Sequence, residues 1–387
     1  MVKQLRRAFD FNKVHDFVGE LFEEDMHEKR VLSLANATVG VMTGATLAVA
    51  TIGQALAQAR GLRTKHAVKQ VDRLLANGAF VVWDLFAQWV PYVVAERESI
   101  LVALDWTDFD ADGHSVIALN LVTGHGRATP LVWKTVKKSE LKGQRALFED
   151  EVLQRLSETL PAGVSVTVLA DRGFFDVRWL EALQQDWGFG YVVRMRGNIQ
   201  VTSAGGETRP AAQWVGAGGR ARTLRNAEVT GNEYPVPTVV CVQAKGMKAS
   251  WCLVASDPKA KSAELVNHYA KRWTIETSFR DTKDLQFGMG LSSIHTKSTQ
   301  RRDRLWLLSA LAIALLTLLG AAGEALGYDR MLKANTVKKR THSLFRQGCM
   351  LYDLIPNMPE QRLRPLIEKF EEMLRGHSVY KQTFGLI

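Results

Sequence analysis

Along the first hundred residues apolar side chains recur every three or four positions, through Phe9–Phe22, Leu47–Ala59 and Val68–Phe86, punctuated by Gly44, Gly53, Gly61 and Gly78. That spacing puts the apolar positions on one helical face, so residues 1–98 read as a helical region. At Ser99 the pattern changes. Ile100–Asp105, Val116–Val122 and Pro130–Val136 are β-rich runs separated by turn residues. A helical stretch over Lys142–Leu160, a buried strand over Val164–Ala170, a helix over Phe174–Gln185 and a strand over Gly190–Arg194 follow. Residues 195–249 are rich in Gly, Thr and Val with hairpin-like runs and contain more Lys and Arg than Glu, which predicts a β-rich insertion with a positive face. Ser250–Ala255 resumes a strand, and Asp257-Pro258 has the form of a helix start before a long helix over Ala260–Lys283.

Three strands, helix, strand, helix, strand resembles the order of an RNase H-like core, a mixed sheet with helices on both faces. The predicted fold class is therefore α/β, an RNase H-like core in two parts (99–194 and 250–325) around the β-rich insertion, with helical N-terminal and C-terminal (326–387) regions. Leu305–Ala322 has no charge and the length of a membrane span, behind Arg301, Arg302 and Arg304. It is one stretch, diluted by Ser309, Thr317 and several Ala, and reads instead as a helix buried on all sides, with no membrane partner.

Composition narrows the classes. With 387 residues, 46% of them hydrophobic, the chain can bury a large core and is neither disordered nor a disulfide-stapled mini-protein. Cys241, Cys252 and Cys349 form no CxxC pair, and the opening residues lack a signal-peptide core, which together suggest a reducing cytoplasm. A net charge of +10 favours an anionic partner. The basic residues cluster: Leu56–Leu75 carries five Lys/Arg against one Asp, and Arg330–Arg346 carries six with no acid. Helix, turn at Arg60–Arg63, then a helix capped by Thr64 and presenting Lys65, His66 and Lys69 is the outline of a helix-turn-helix.

Asp105 and Asp171 each end a buried strand run, which places two rigid carboxylates at a sheet edge. A third acid lies on the predicted long helix. At about 100° per residue, Tyr269, Arg272, Glu276 and Lys283 share a stripe roughly 60° wide and about 21 Å long. In-line cleavage of a phosphodiester needs charge neutralisation at the entering and leaving oxygens, which two Mg2+ or Mn2+ ions on carboxylate oxygens supply. Asp108, Asp110, Asp112 and Gly113 imitate the start of a calcium loop, but the twelfth position is Leu119 and strand-like runs flank it, so a hairpin turn is the better reading. His114, His125 and His295 fall in predicted loops without ligand spacing and receive no role.

The spacing Tyr269, two residues, Arg272, three residues, Glu276, six residues, Lys283 resembles the signature of bacterial DDE transposases of the insertion-sequence-four family. The Leu104-Asp105-Trp106-Thr107 and Ala170-Asp171-Arg172-Gly173 segments resemble that family's first two acidic motifs. The resemblance covers about residues 95–325 and implies a metal-dependent enzyme that cuts a mobile element free and joins its 3′ ends to target DNA. It implies that Asp105, Asp171 and Glu276 are catalytic and bind two Mg2+ or Mn2+ ions, and that Tyr269, Arg272 and Lys283 contact phosphates. It also implies that a tryptophan in the insertion, Trp214 or Trp251, holds a flipped base, with Trp273 as a further stacking candidate. Lys65 and Lys69 would help bind terminal inverted repeats of double-stranded DNA, and joining two ends implies a homodimer in a bacterial, nucleoid-associated setting. An RNase H-like nuclease without strand transfer and a non-catalytic DNA-binding regulator remain the alternatives.

Overall fold

The structure is a computed structural model and describes residues 2–375. Helices α1 (Val2–Phe22), α2 (Glu28–Gly44), α3 (Val49–Arg60), α4 (Thr64–Ala76) and α5 (Val82–Val94) come first. Then follow β1 (Ser99–Phe109), β2 (His114–Val122), β3 (Ala128–Lys137), α6 (Arg145–Thr159), β4 (Ser165–Ala170), α7 (Val177–Gln185) and β5 (Gly190–Met195). Next come β6 (Gln200–Thr202), β7 (Thr208–Pro210), β8 (Arg222–Val229), β9 (Tyr234–Val242) and β10 (Trp251–Ala255). After these are α8 (Ser262–Lys271), α9 (Thr274–Lys283), α10 (Thr299–Ala325), α11 (Leu344–Leu354) and α12 (Glu360–Arg375). Of the predicted C-terminal helical region, residues 376–387 lie outside the described residues.

Among the described residues the strands form one ten-stranded sheet in the order β3-β2-β1-β4-β5-β10-β9-β8-β6-β7. Its centre is parallel, β1 to β4 and β4 to β5, and the remaining pairs are antiparallel. Parallel neighbours need crossovers, which α6 and α7 provide. The insertion does not stand apart: β10 pairs with β5 on one side and β9 on the other, so β6–β9 prolong the core sheet.

Helices cover both faces. Successive side chains on a strand point to opposite sides. On β1, Thr107 meets Lys283 of α9, while Trp106 donates its indole hydrogen to Glu149 of α6. Helix α10 runs through the middle of the helical layer, and the most apolar 18 residues of this long, membrane-length helix are 94% buried within the protein. Its approach to α11 depends on Gly320 and Gly348, where an added Cβ would lie 1.9 Å from Leu344 O and 1.7 Å from Leu316 O. The arginines ahead of the apolar run are tied into the fold. Arg304 donates to Leu75 O (2.8 Å) and Phe80 O (2.7 Å), Arg301 pairs with Asp72 of α4 (2.7 Å), and buried Arg302 pairs with Asp112.

Several boundaries differ from the sequence reading. Thr64 is the first residue of α4 and caps nothing; Arg63 occupies the cap position, without a side-chain bond. Asp257 bonds Lys259 N in a turn, and the helix begins only at Ser262. The predicted Ala260–Lys283 helix is two, because around Arg272 the backbone tightens: Arg272 N bonds Tyr269 O, Trp273 N bonds Ala270 O and Ile275 N bonds Arg272 O, each three residues back. Residues Asp110–Asp112 form one 3-10 turn closed by Gly113 at φ +64°, the hairpin turn between β1 and β2. His114 is a buried strand residue rather than a loop one, its ring nitrogen accepting from Arg302.

Candidate active site

The sheet edge is set by where β4 stops. The β1–β4 pairing ends at Leu104↔Ala170, so Asp105 and Asp171 are the next residues on adjacent parallel strands. The sequence pattern predicts a first strand ending at Asp105, but β1 continues four residues to Phe109, held by β2 through Asp105↔Ala118 to Phe109↔His114. Each acid accepts a hydrogen bond from the backbone N–H that follows it, Trp106 N to Asp105 Oδ1 (2.8 Å) and Arg172 N to Asp171 Oδ1 (2.6 Å). Both carboxylates are thereby fixed in direction.

The α8–α9 pair crosses this edge and delivers the other groups. Tyr269 Oη donates to Asp171 Oδ1 at 3.3 Å. Arg272, 7% exposed, forks between two acids: Nη1 reaches Asp105 Oδ2 at 3.0 Å and Nη2 reaches Glu276 Oε1 at 3.1 Å. The tightened backbone at Arg272 turns this side chain inward, so the break in the helix belongs to the site. Burial pushes the Asp105 carboxyl up, opposed by Arg272 and reinforced by the charges of Glu276 and Asp171. Burial works against the Arg272 charge, but Tyr269 and the three carboxylates outweigh it and raise the guanidinium. Burial also raises the Tyr269 phenol.

Lys283 lies seven residues beyond Glu276 on α9, about two helical turns. Its ammonium donates to Thr107 Oγ1 (2.8 Å) and Asp108 O (2.6 Å) and sits 4.6 Å from the Phe109 ring centre. Burial lowers its pKa, and Asp108 and Asp110 oppose that shift. The acids of the β1–β2 turn are otherwise engaged, Asp108 and Asp110 with Lys138 and Asp112 with Arg302 and His295.

The two tryptophan candidates part company: Trp214 lies in the insertion, whereas Trp251 opens β10, which pairs with core strand β5. Trp214 is 1% exposed, donates to Val201 O at 3.1 Å and lies between Arg209 and Arg222, whose guanidinium carbons are 5.1 and 4.9 Å from its ring. In the protein alone its ring is packed into the core of the insertion. Trp251 stands edge-on to Tyr269 with ring centroids 4.9 Å apart and braces the phenol. Trp273, at the break between α8 and α9, is 62% exposed. Lys65 and Lys69 are exposed on α4, away from these contacts. Arg194 on β5 escaped the sequence reading because it looked like the end of a strand; its charge acts on the Tyr269 phenol and its guanidinium bonds Ser250 O.

The family model described as Transposase DDE domain matches residues 96–315, more than half of the chain. The chain belongs to the DDE transposase family. No curated protein matches it. The matched DDE domain runs from just before β1 into α10 and so contains both strand-borne acids, Glu276 and the whole insertion. Membership makes the chain a transposase, with DNA as its general partner and an RNase H-like core; DDE transposases generally use divalent metal ions.

Against that requirement the donors have the right chemistry and a particular spacing. Asp105, Asp171 and Glu276 offer only carboxylate oxygens, the donors that Mg2+ and Mn2+ take. Among the described residues, however, no three His, Cys, Asp or Glu side chains are drawn together tightly enough to hold an ion. Arg272 lies between Asp105 and Glu276 and pairs with both, at 3.0 and 3.1 Å, so its positive charge offsets their mutual repulsion.

Proposed function

We propose that this DDE transposase excises an insertion sequence by hydrolysing phosphodiester bonds at its ends and then joins the freed 3′ ends to target DNA, within the insertion-sequence-four group. The observation that carries the reading is the convergence on one sheet edge of Asp105, Asp171 and Glu276 with Tyr269 and Arg272, from segments far apart in the chain.

Asp105, Asp171 and Glu276 would hold two Mg2+ or Mn2+ ions, which when bound activate the attacking water or 3′-hydroxyl and neutralise charge at the reacting phosphate. The protein supplies position. Asp105 sits within β1 and Asp171 directly beyond β4, and the backbone N–H that follows each one holds its carboxylate in place. Arg272 has a planar fork suited to a phosphate, and in the protein alone that fork is kept in place by the acids. Tyr269, steadied by Trp251, presents a hydroxyl beside Asp171. Lys283 adds a cation further along the strand path.

The rest of the chain is assigned to holding DNA. Helix α4 follows α3 through a turn at Gly61 (φ +68°) and exposes Lys65, His66 and Lys69, the arrangement of a recognition helix for terminal inverted repeats. Arg209 and Arg222 on the insertion and the basic segment after α10 add phosphate contacts, and two such chains pair the two ends in a cytoplasmic, nucleoid-bound complex.

The test uses the full chain, duplexes carrying the flanking inverted repeats, and Mg2+ or Mn2+. Wild type should cut at the element's ends and transfer the 3′ ends to a second duplex. Glu276→Gln should lose at least roughly 10²-fold of cleavage and keep its affinity for the ends. Undiminished cleavage by this variant would remove Glu276 from the site. Cleavage without transfer would favour a nuclease, and binding without cleavage a regulator.

A further inference from the structure

The segment that follows α9 has no part in the site described above, yet it is built with care. Leu285 is 73% exposed and Phe287 62% exposed, a branched aliphatic and a phenyl ring offered to water two residues apart. Exposed apolar side chains of this size are ordinary when scattered on mobile loops. These are on a braced one. Asp284 accepts from Gln286 N (2.8 Å) and Phe287 N (2.6 Å), and Met289 N bonds back to Asp281 O (2.9 Å). Gly288 lies so close to α9 that a Cβ there would be 2.3 Å from Arg280 O. Beyond it, Met289 O accepts from Leu47 N (2.9 Å), which ties the loop to the N-terminal helices.

Charge identifies the partner. A shallow pocket at the base of this tip is lined by Thr107, Phe279, Arg280, Lys283, Asp284 and Ser292, and the exposed Arg280 and partly exposed Lys283 are its cations. The one acid among them, Asp284, is turned into the loop's own backbone. A rigid apolar tip beside cations matches a duplex, whose phosphates meet the cations while the stacked bases receive the apolar side chains. A purely apolar protein partner would leave those cations facing nothing.

We propose that Leu285 and Phe287 form a wedge that enters between stacked bases of the DNA held at the active site, opening one base step. The inference rests on the transposase reading and adds a site to it. Glu276 and Lys283 are seven residues apart on α9 and the tip lies two to four residues beyond, so the opened step falls about 10–15 Å from the cleaved phosphate, roughly three to four nucleotides away.

The probe is a set of inverted-repeat duplexes with 2-aminopurine at successive positions on each side of the mapped cut, bound by the full chain in EDTA so that no strand breaks. Wild type should raise fluorescence several-fold at one step in the expected window. The Leu285→Ala/Phe287→Ala double variant should bind the duplex while its fluorescence stays within about 1.5-fold of free DNA, and Phe287→Trp should retain the wild-type pattern. A double variant that unstacks the base as wild type does would overturn the wedge. So would a change in its oligomeric state with the fluorescence pattern intact, which would make the tip a contact between copies of the chain. Wild type that binds and cuts the ends but opens no step ends this inference alone; wild type that neither binds nor cuts them ends the underlying reading as well.

Discussion

At the scale of single residues, Arg272 decides the character of the site. Its fork replaces what would be mutual repulsion of Asp105 and Glu276 with two hydrogen bonds, at 3.0 and 3.1 Å. Arg272→Gln should therefore have two effects. Cleavage should drop by roughly 10²-fold or more, since one positioned donor to a reacting phosphate is worth that much. Asp105, already raised by burial and held down chiefly by Arg272, should rise further. Arg272→Lys should restore little of the activity, because a point-charge ammonium cannot serve two acids as a planar fork does. Cleavage rates for the two variants, with carboxylate titration of the metal-free protein, check both statements. Full activity in Arg272→Lys would show that charge alone matters. Residue types and gaps made Tyr269, Arg272, Glu276 and Lys283 visible in the sequence, whereas Arg194 and the burial of Trp214 were invisible, because exposure is a property of what packs around a side chain.

Elements meet closely where glycine permits it. At the α3–α4 crossing a Cβ on Gly53 would sit 2.5 Å from Val68 Cα, backbone that cannot step aside without moving α4. Gly53→Ala should force the two helices apart and cost about 1–3 kcal/mol. Its larger effect should be on recognition, since α4 carries Lys65 and Lys69. Anisotropy titrations with inverted-repeat duplexes should show weakened and less specific binding, while the DDE domain remains folded by circular dichroism. Unchanged end binding would take α4 out of the recognition role. The hydrophobic period located these helices in the sequence but missed the interruption at Arg272–Trp273. Both halves keep the same apolar face, so periodicity alone reads straight through a tightened turn.

For the whole molecule, stability carries a pH signature from two carboxyls, the buried Glu149 and the half-buried Asp303. Asp303, near the start of α10, accepts from Thr135 N (3.0 Å) and Thr135 Oγ1 (2.6 Å), joining the central helix to edge strand β3, and burial raises its pKa to about 7. Burial also raises Glu149, beneath Trp106, to about 7. A carboxyl whose folded pKa lies above its unfolded one binds more protons when folded. Its contribution is complete below the unfolded pKa and is lost as pH climbs through about 7. The fold should weaken between pH 4 and pH 8 at low salt, with roughly 2–4 kcal/mol of the change from Asp303. Asp303→Asn should remove that share and leave the slope due to Glu149, as urea unfolding across the range will show. An unchanged slope would mean that Asp303 ionises freely in the fold.

What the sequence determined by itself was local: the periods that make helices and strands, the turn at Gly113, the basic helix after Gly61, and a four-residue signature whose gaps point to one chemistry. Neighbouring residues set these, so a linear reading reaches them. Tertiary structure alone decided that Asp105 and Asp171 would lie side by side, since that follows from the register of β1 on β4, residues more than sixty apart in the chain. It also decided that the insertion would extend the core sheet through β10, that Arg272 would lodge among the acids, and that Leu285 and Phe287 would remain outside on a braced loop. Each of these depends on how distant segments divide a limited interior between them, and no stretch of sequence carries that division on its own.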